Sequence, residues 1–402
     1  MLDFELSEEQ RMLVEAVRKF GKTEIAPYIR KIDTDQKLPQ RVISGLADLG
    51  LLGMSVSQEY GGADADPVTV GLVAEELAKA DITCATPTFF LVQAAWGHIF
   101  NKYGTKKAKE AILPKVTKGE AFIGIASTEP DTGSDVANMK TNAKKKGGGY
   151  VVNGEKMFIS GVGEIQNVLP AGGGYVMLAK TEPDKGAKGI SLFYMPIKGT
   201  KGVTPTLLDD WGRRGISTGG FAMEDVEIPA EYLIGPENKG FFLAMEGFEY
   251  ARAIIGMVCC GAAMASLDHA MEYLKIRKAF GRPIGTFEGV QFKLAEHYTR
   301  MDALRLLALR ALWQYGREMK TGEGRFLTAL YCAESKLLAP ESAFDAINDA
   351  IHWFGAFGYT VECPLELALK GVRSYYWAEG TREVMRTIVG RELMGKEYVV
   401  TR

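Results

Sequence analysis

The apolar residues of this chain change their spacing twice, near Gly119 and near Gly240, and these two changes restrict the fold more than any other feature. Up to about residue 120 the spacing is helical. Ser7-Glu-Glu-Gln10 has the pattern of a capping box, with Ser7 as N-cap and Gln10 reaching back. Phe4, Leu13, Val14, Val17 and Phe20 recur at helical intervals around it. A second helix through Val42, Leu46, Leu49 and Leu51 is expected to stop near Gly50 and Gly53. Gly61-Gly62 should break the chain before an apolar helix over 68–77, and 89–100 reads as another buried helix.

Between 121 and about 236, short apolar runs alternate with Gly, Pro, Asn and Asp. Tyr150-Val-Val-Asn-Gly-Glu-Lys-Met-Phe-Ile-Ser160 carries an Asn153-Gly154 hairpin signal between two strand-like arms. Further strands are expected at 175–179, 190–197 and 220–228, as in a compact antiparallel barrel or sandwich. From Gly240 the helical period returns, with long helices at roughly 240–275, 287–315, 325–353 and 381–393. Short breaks at Gly281-Arg-Pro283, Gly322-Glu-Gly324 and Gly355 favour antiparallel neighbours in a four-helix bundle. The reading is an α+β protein: an N-terminal helical domain over 1–120, a central antiparallel β-barrel or sandwich domain over 121–236, and a C-terminal four-helix bundle over 237–402.

A net charge of −2 over 402 residues provides no global field for nucleic acid or an anionic membrane. The most apolar stretch, 253–265, is shorter than the roughly 20 residues of a bilayer span. Its small residues Gly256, Cys259, Cys260, Gly261, Ala262 and Ala263 suit close helix packing in a core. Residues 1–10 lack the cationic start and apolar centre of a targeting peptide. The five cysteines show no C-x-x-C spacing and read as reduced, buried thiols of a cytoplasmic protein. The four histidines are dispersed, so no metal site is expected.

Four strings carry chemistry. In Arg373-Ser-Tyr-Tyr-Trp-Ala-Glu-Gly-Thr-Arg382, the carboxylate of Glu379 follows an aromatic, uncharged run and precedes a glycine turn. Desolvation there raises its pKa and makes it a usable general base. In Ile125-Ala-Ser-Thr-Glu-Pro-Asp-Thr-Gly-Ser-Asp135, a strand enters a turn whose hydroxyls and N–H groups suit an acceptor-rich ring or a phosphate. Lys275, Arg277, Lys278 and Arg282 collect at a helix C-terminus, where cations are favoured by the macrodipole and an Arg fork also suits a diphosphate. Ala350-Ile-His-Trp-Phe-Gly-Ala-Phe-Gly-Tyr359 joins aromatics and glycines, as a helix C-cap or as backbone laid against a flat ring.

Together these strings resemble the acyl-CoA dehydrogenase family over essentially the whole chain. The resemblance implies FAD as cofactor and oxidation of an acyl-CoA thioester to the 2-enoyl-CoA, with Glu379 removing the α-proton. It places Ile125, Ser127, Thr128, Gly133 and Ser134 along the flavin, Ser134 also near the thioester. Phe158, Ile159 and Ser160 fall in the strand covering the flavin ring. Arg277 would reach the FAD diphosphate of a neighbouring subunit, with Phe280 and Gln291 in the same intersubunit site. His352, Trp353, Gly355 and Ala356 would contact the adenosine portion. Thr381 and Glu383 are assigned to the cofactor, and Gly380 to the substrate. Glu249 and Arg252 hold the family's acidic-x-x-Arg position near CoA. Sites shared between chains imply a homotetramer or dimer, and the implied electron acceptor is an electron-transferring flavoprotein.

Departures from the family pattern bear on substrate. Ala378 stands where Tyr is common before the base, which would admit a branched or cyclic acyl group unless Tyr376 or Trp377 fills the gap. The expected pocket helix, 81–101, has no Lys or Arg, which favours a neutral acyl chain. Ala251 removes the family's alternative base position, and Lys370-Gly371 replaces a usual Arg-Asp pair. An oxidase of the same fold, or a non-catalytic scaffold member, are the rival readings. The short segment after Glu379 argues against the first and the intact base against the second.

Overall fold

The computed structural model of this chain describes residues 4–395 and Tyr398; residues 1–3 of the N-terminal stretch, 396–397 and 399–402 lie outside the described residues. Helices come first: α1 (Glu8–Phe20), α2 (Ile29–Asp35), α3 (Gln40–Asp48), α4 (Pro67–Ala80), α5 (Ala85–Tyr103) and α6 (Lys106–Thr117). The capping box at Ser7 forms as expected. Gln10 N–H donates to Ser7 Oγ at 3.1 Å, and Ser7 N–H to Gln10 Oε1 at 3.1 Å. Asp66 caps α4, its Oδ1 accepting from Val68 N at 3.0 Å, and Pro67 supplies a preset first turn. In α5 every residue from Ala85 to Phe100 is buried, which is why its sequence is apolar on all faces.

The strands follow: β1 (Ala121–Ala126), β2 (Asn142–Lys146), β3 (Gly149–Ser160), β4 (Gly172–Lys180), β5 (Ile190–Pro196), β6 (Val203–Leu208), β7 (Thr218–Pro229) and β8 (Leu233–Ile234). They form one sheet in the order β6-β7-β3-β2-β4-β5-β8, with β1 added beside β4. The expected antiparallel pairing holds except at β4, which meets β1 and the end of β2 in parallel. The parallel addition brings two backbones very close. At Gly173, φ is +128°, and a Cβ there would stand 2.1 Å from the Phe122 carbonyl oxygen.

The Asn153-Gly154 hairpin is overturned. β3 runs through that dipeptide, and the reversal lies at Gly147-Gly148, between β2 and β3. Asn153 sits in a register shift between Val152 and Gly154. Its side chain exchanges two hydrogen bonds with Asp225 of β7, at 3.1 and 2.9 Å. Cross-strand pairing therefore fixes a bulge where a local reading gives a turn.

The third part holds α7 (Gly240–Ile276), α8 (Glu288–Thr321), α9 (Arg325–Trp353), α10 (Leu365–Arg373) and α11 (Arg382–Met394). The four long helices match expectation closely, with α8 running further to Thr321; the short α10 was not expected. α7 packs on α8, α9, α4 and α5, so it is shared between the two helical parts. At 37 residues it is long and apolar enough to cross a bilayer, but 89% of its most apolar window is buried inside the protein. Small residues let α7 and α9 approach as expected: a Cβ on Gly256 would stand 2.2 Å from Ser335 Oγ. All five cysteines are buried and free.

The β1–β4 contact generates a stability prediction. Gly173→Ala should destabilise the chain by about 2–4 kcal/mol, because both the backbone angle and the Phe122 carbonyl oppose a Cβ. Gly148→Ala, with nothing within 4 Å of the added carbon, should be near neutral. Denaturant unfolding of the two variants checks the difference.

Candidate active site

The turn that follows β1 is anchored from beneath. The buried carboxylate of Glu129 accepts from Lys156 Nζ of β3 at 2.9 Å, from Lys140 N at 2.6 Å and from Thr141 N at 3.0 Å. Burial opposes its charge, but Lys156 and these donors hold its pKa below the usual carboxylate value. Lys156 also donates to Ser127 O, and Met157 N–H to Thr128 O at 3.0 Å. Glu129 and Lys156 thus fix the loop from inside, leaving the rim residues Ser127, Thr128, Gly133 and Ser134 facing a cavity. Just beyond, a second irregularity in β3 gives Phe158 a φ of +59° and leaves its ring 64% exposed beside the loop.

This cavity encloses about 1470 Å³. Its walls come from Thr88, Leu91 and Val92 of α5, from Ile125 and the following loop, and from Phe158, Ile159 and Ser160 of β3. Residues 210–213, Phe248, Glu249, Arg252 and Ile255 of α7, and Tyr375 and residues 377–381 also face it. A pocket for one small molecule is roughly 300–1,000 Å³, so two ligands fit side by side. The lining combines hydroxyls, apolar surface and a projecting aromatic ring, which suits a flavin ring system on one side and an acyl thioester on the other.

Glu379 faces this space from the turn before α11. It is a non-glycine residue in the left-handed region, φ +59°. The residue keeps some accessible surface, but Oε2 is fully buried and has no hydrogen-bond partner. Burial raises the carboxyl to about 7, against the opposing charges of Arg252 and Lys336. The backbone of the turn is held from behind. Arg252 Nε donates to Glu379 O at 2.9 Å, and Lys336 Nζ donates to Gly380 O and, at 3.4 Å, to Tyr376 O. The Glu379 N–H has no hydrogen-bond acceptor among the described residues. A basic carboxylate and a free N–H thus stand on one residue at the cavity wall.

Of the residues singled out from sequence, Ile125, Ser127, Thr128, Gly133, Ser134, Phe158, Ile159, Ser160, Glu249, Arg252, Glu379, Gly380 and Thr381 all line this one cavity. Glu249 forms an ion pair with Arg325, and burial pushes its pKa up to about 7. The hydroxyl of Thr381 caps α11, accepting from Val384 N at 3.3 Å. Glu383 lies outside, paired with Arg382 at 2.6 Å. Phe280, His352 and Trp353 line a separate hollow of about 520 Å³ that shares no residue with the first. Arg277, Gln291, Gly355 and Ala356 line neither; Gln291 donates to Gly285 O at 2.8 Å. The 350–359 string does form a helix C-terminus, with Phe354 stacked on Tyr273 at 4.3 Å.

Sequence reading missed three residues of the site. Lys156 and Lys336 look like ordinary helix or strand lysines, and only their burial (0% and 2% exposed) marks them. Arg213 lines the cavity at φ +60°, donating to Ser160 Oγ and Thr218 Oγ1 at 3.1 Å each. Its Nε is buried without a partner, and it makes no ion pair among the described residues. The lost Arg-Asp pair at 370–371 is replaced: Lys370 pairs with Glu366 at 2.5 Å, and Gly371 lies against Thr83 O.

Comparison with known proteins agrees with this geometry. The chain matches the family models for the acyl-CoA dehydrogenase N-terminal domain over 7–120, middle domain over 124–226 and C-terminal domain over 238–394. It is 34% identical over 393 residues to cyclohex-1-ene-1-carbonyl-CoA dehydrogenase of Syntrophus aciditrophicus, covering 97% of this chain and 91% of that protein. Among solved structures, butyryl-CoA dehydrogenase from Megasphaera elsdenii aligns with a TM-score of 0.89 at 29% identity, over 98% of this chain and 100% of the other. PigA with FAD and proline aligns with a TM-score of 0.89 at 26% identity, over 98% and 99%.

The raised pKa sets a pH dependence. A base works only when ionised, so a reaction that uses Glu379 should be lost as pH falls through about 7 and reach its plateau above that value. The acid limb of kcat/KM against pH checks this; a limb near the ordinary carboxylate value would contradict it.

Proposed function

The chain belongs to the acyl-CoA dehydrogenase family, whose FAD-dependent oxidoreductase chemistry it shares, and from that premise we propose that it converts a neutral acyl-CoA thioester to the 2-enoyl-CoA with Glu379 as base. The observation that carries this reading is the Glu379 carboxyl: buried at Oε2, unpartnered, raised to about 7, and facing a cavity with room for two ligands. Ser127, Thr128, Ser134 and Ser160 would hold the flavin through their hydroxyls and backbone, and Phe158 would flank its ring. When bound, FAD supplies the acceptor for the hydride that leaves the β-carbon. Glu379 takes the α-proton on its carboxylate. The Glu379 N–H, without an acceptor in the turn, would donate to the thioester oxygen as negative charge develops there.

The acyl end would lie among Thr88, Leu91, Val92, Ile255, Tyr375 and Ala378. Tyr376 does not fill the space left by Ala378: it packs against Phe344 and under Arg373 and does not line the cavity. Trp377 does line it, but its side chain is 60% exposed. This geometry supports a branched or cyclic acyl group, the chemistry in the name of the Syntrophus relative. One observation favours a second reading. Arg213 is a cation in the cavity wall that makes no ion pair among the described residues, although its charge reaches the buried Glu164 carboxyl, and a distal carboxylate on the acyl chain would pair with it directly.

Oligomerisation belongs to the same proposal. Phe280, 96% exposed at φ +52° on a hairpin tip, is a poor solvent-facing residue. Its exposure supports an assembly, tetramer or dimer, in which Arg277, Phe280, Gln291 and residues 352–356 meet the FAD of a neighbouring copy. An electron-transferring flavoprotein is the proposed acceptor. Domain borders near 120 and 236 follow the changes from α6 to β1 and from β8 to α7.

Anaerobic titration of the purified protein with straight, branched, cyclic and dicarboxylic acyl-CoAs, following flavin absorbance, tests the substrate class. Branched or cyclic neutral thioesters should bleach the flavin fastest. A clear straight-chain preference would end the Ala378 argument. Glutaryl-CoA turnover that rivals the neutral thioesters and is lost in Arg213→Gln would establish the second reading. Oxygen consumption without an added acceptor would mark an oxidase.

A further inference from the structure

The Glu379 turn is held in an unfavourable shape. A non-glycine residue in the left-handed region is strained by roughly 1 kcal/mol or more, and a buried oxygen without a partner adds to that. Something must oppose relaxation of the turn. Two cations on facing helices do so: Arg252 of α7 and Lys336 of α9, 5% and 2% exposed. Together they receive the carbonyls of Tyr376, Glu379 and Gly380. Lys336 has no ion-pair partner among the described residues, and its hydrogen bonds there all go to this turn. A buried ammonium that meets only carbonyl oxygens is costly unless its position is required.

We propose that Lys336 is a positioning residue for the reaction: by binding the Tyr376 and Gly380 carbonyls it keeps the Glu379 turn left-handed, so that the carboxylate faces the cavity and the Glu379 N–H stays free. This rests on Glu379 being the base. The carbonyls of Tyr376, Glu379 and Gly380 are held by the cations, and the Gly380 N–H closes the turn on Trp377 O at 3.2 Å, which leaves the Glu379 N–H without a partner in the turn. The same ammonium favours the ionised carboxylate against its burial. The groups facing Glu379 are Arg252 on α7 and Lys336 on α9; those facing Lys336 are Arg252 and Cys259 on α7, Glu379 itself, and Glu383 on α11. Burial and the neighbouring Arg252 lower the Lys336 ammonium to about 8, so above that pH the clamp loses its charge.

The test uses FAD-loaded protein with Lys336→Met and Lys336→Arg. Lys336→Met should keep its FAD, lose at least tenfold in kcat with a smaller change in KM, and move the acid limb of the pH profile upward. Lys336→Arg should restore the acid limb and abolish any fall in rate above about pH 8, since a guanidinium stays protonated there. Unchanged kcat and acid limb in Lys336→Met would overturn the proposal. If Lys336→Met does not fold, the basic limb decides: a wild-type limb near pH 8 that persists in Lys336→Arg belongs to another group and overturns it equally. Turnover that survives in Glu379→Gln would instead sink the base assignment, so the two failures are distinguishable.

Discussion

One buried carboxylate oxygen with no hydrogen-bond partner among the described residues, set against two buried cations, is the constraint on which the rest of this structure depends. Left alone, such a group would protonate or turn outward. Here burial raises Glu379 to about 7 and goes no further, because Arg252 and Lys336 oppose it from the helices behind. Those helices can offer cations at that point only because they approach closely. Gly256 permits the α7–α9 contact, and Gly261 further along α7 permits an equally close approach to Glu75 of α4. The strain at Glu379 is thus sustained by packing some distance from the chemistry.

The opposite wall follows the same logic with a different pair. Lys156 and Glu129 are buried together beneath the loop after β1, where a charged pair is justified by the number of backbone groups it organises. The sheet then places that loop and Phe158 across from the helical wall. The parallel seam of β1 on β4, made possible by Gly173 against the Phe122 backbone, fixes where the loop begins. Two helical parts and one sheet converge on a single cavity, and each contributes a wall that the others lack.

Much of this was legible in the sequence because local physics dictates it. The Ser7 capping box, the helical periods of α4, α5 and α7–α9, and the desolvated setting of Glu379 all depend on near neighbours. What was not legible depends on distant partners. Asn153-Gly154 carries every local mark of a turn, yet Asp225 on another strand holds it as a bulge. The parallel seam, the role of Lys336 and the unpaired Arg213 are set by contacts 40 or more residues away. Thr88, Leu91 and Val92 of α5 bring no charge to the cavity, but Arg213 of the 210–213 loop does, which no pattern around the helix announces. Glu383, four residues after the base, does not line the cavity and pairs with Arg382 instead.

As the base, Glu379 would remove a proton from the carbon next to the thioester carbonyl. The most direct measurement is exchange of that α-hydrogen with heavy water, in wild type and in Glu379→Gln, both carrying full FAD. Rapid exchange is expected in wild type, with a loss of at least about a hundredfold in the variant with its flavin still bound. Equal exchange in the two proteins would contradict it.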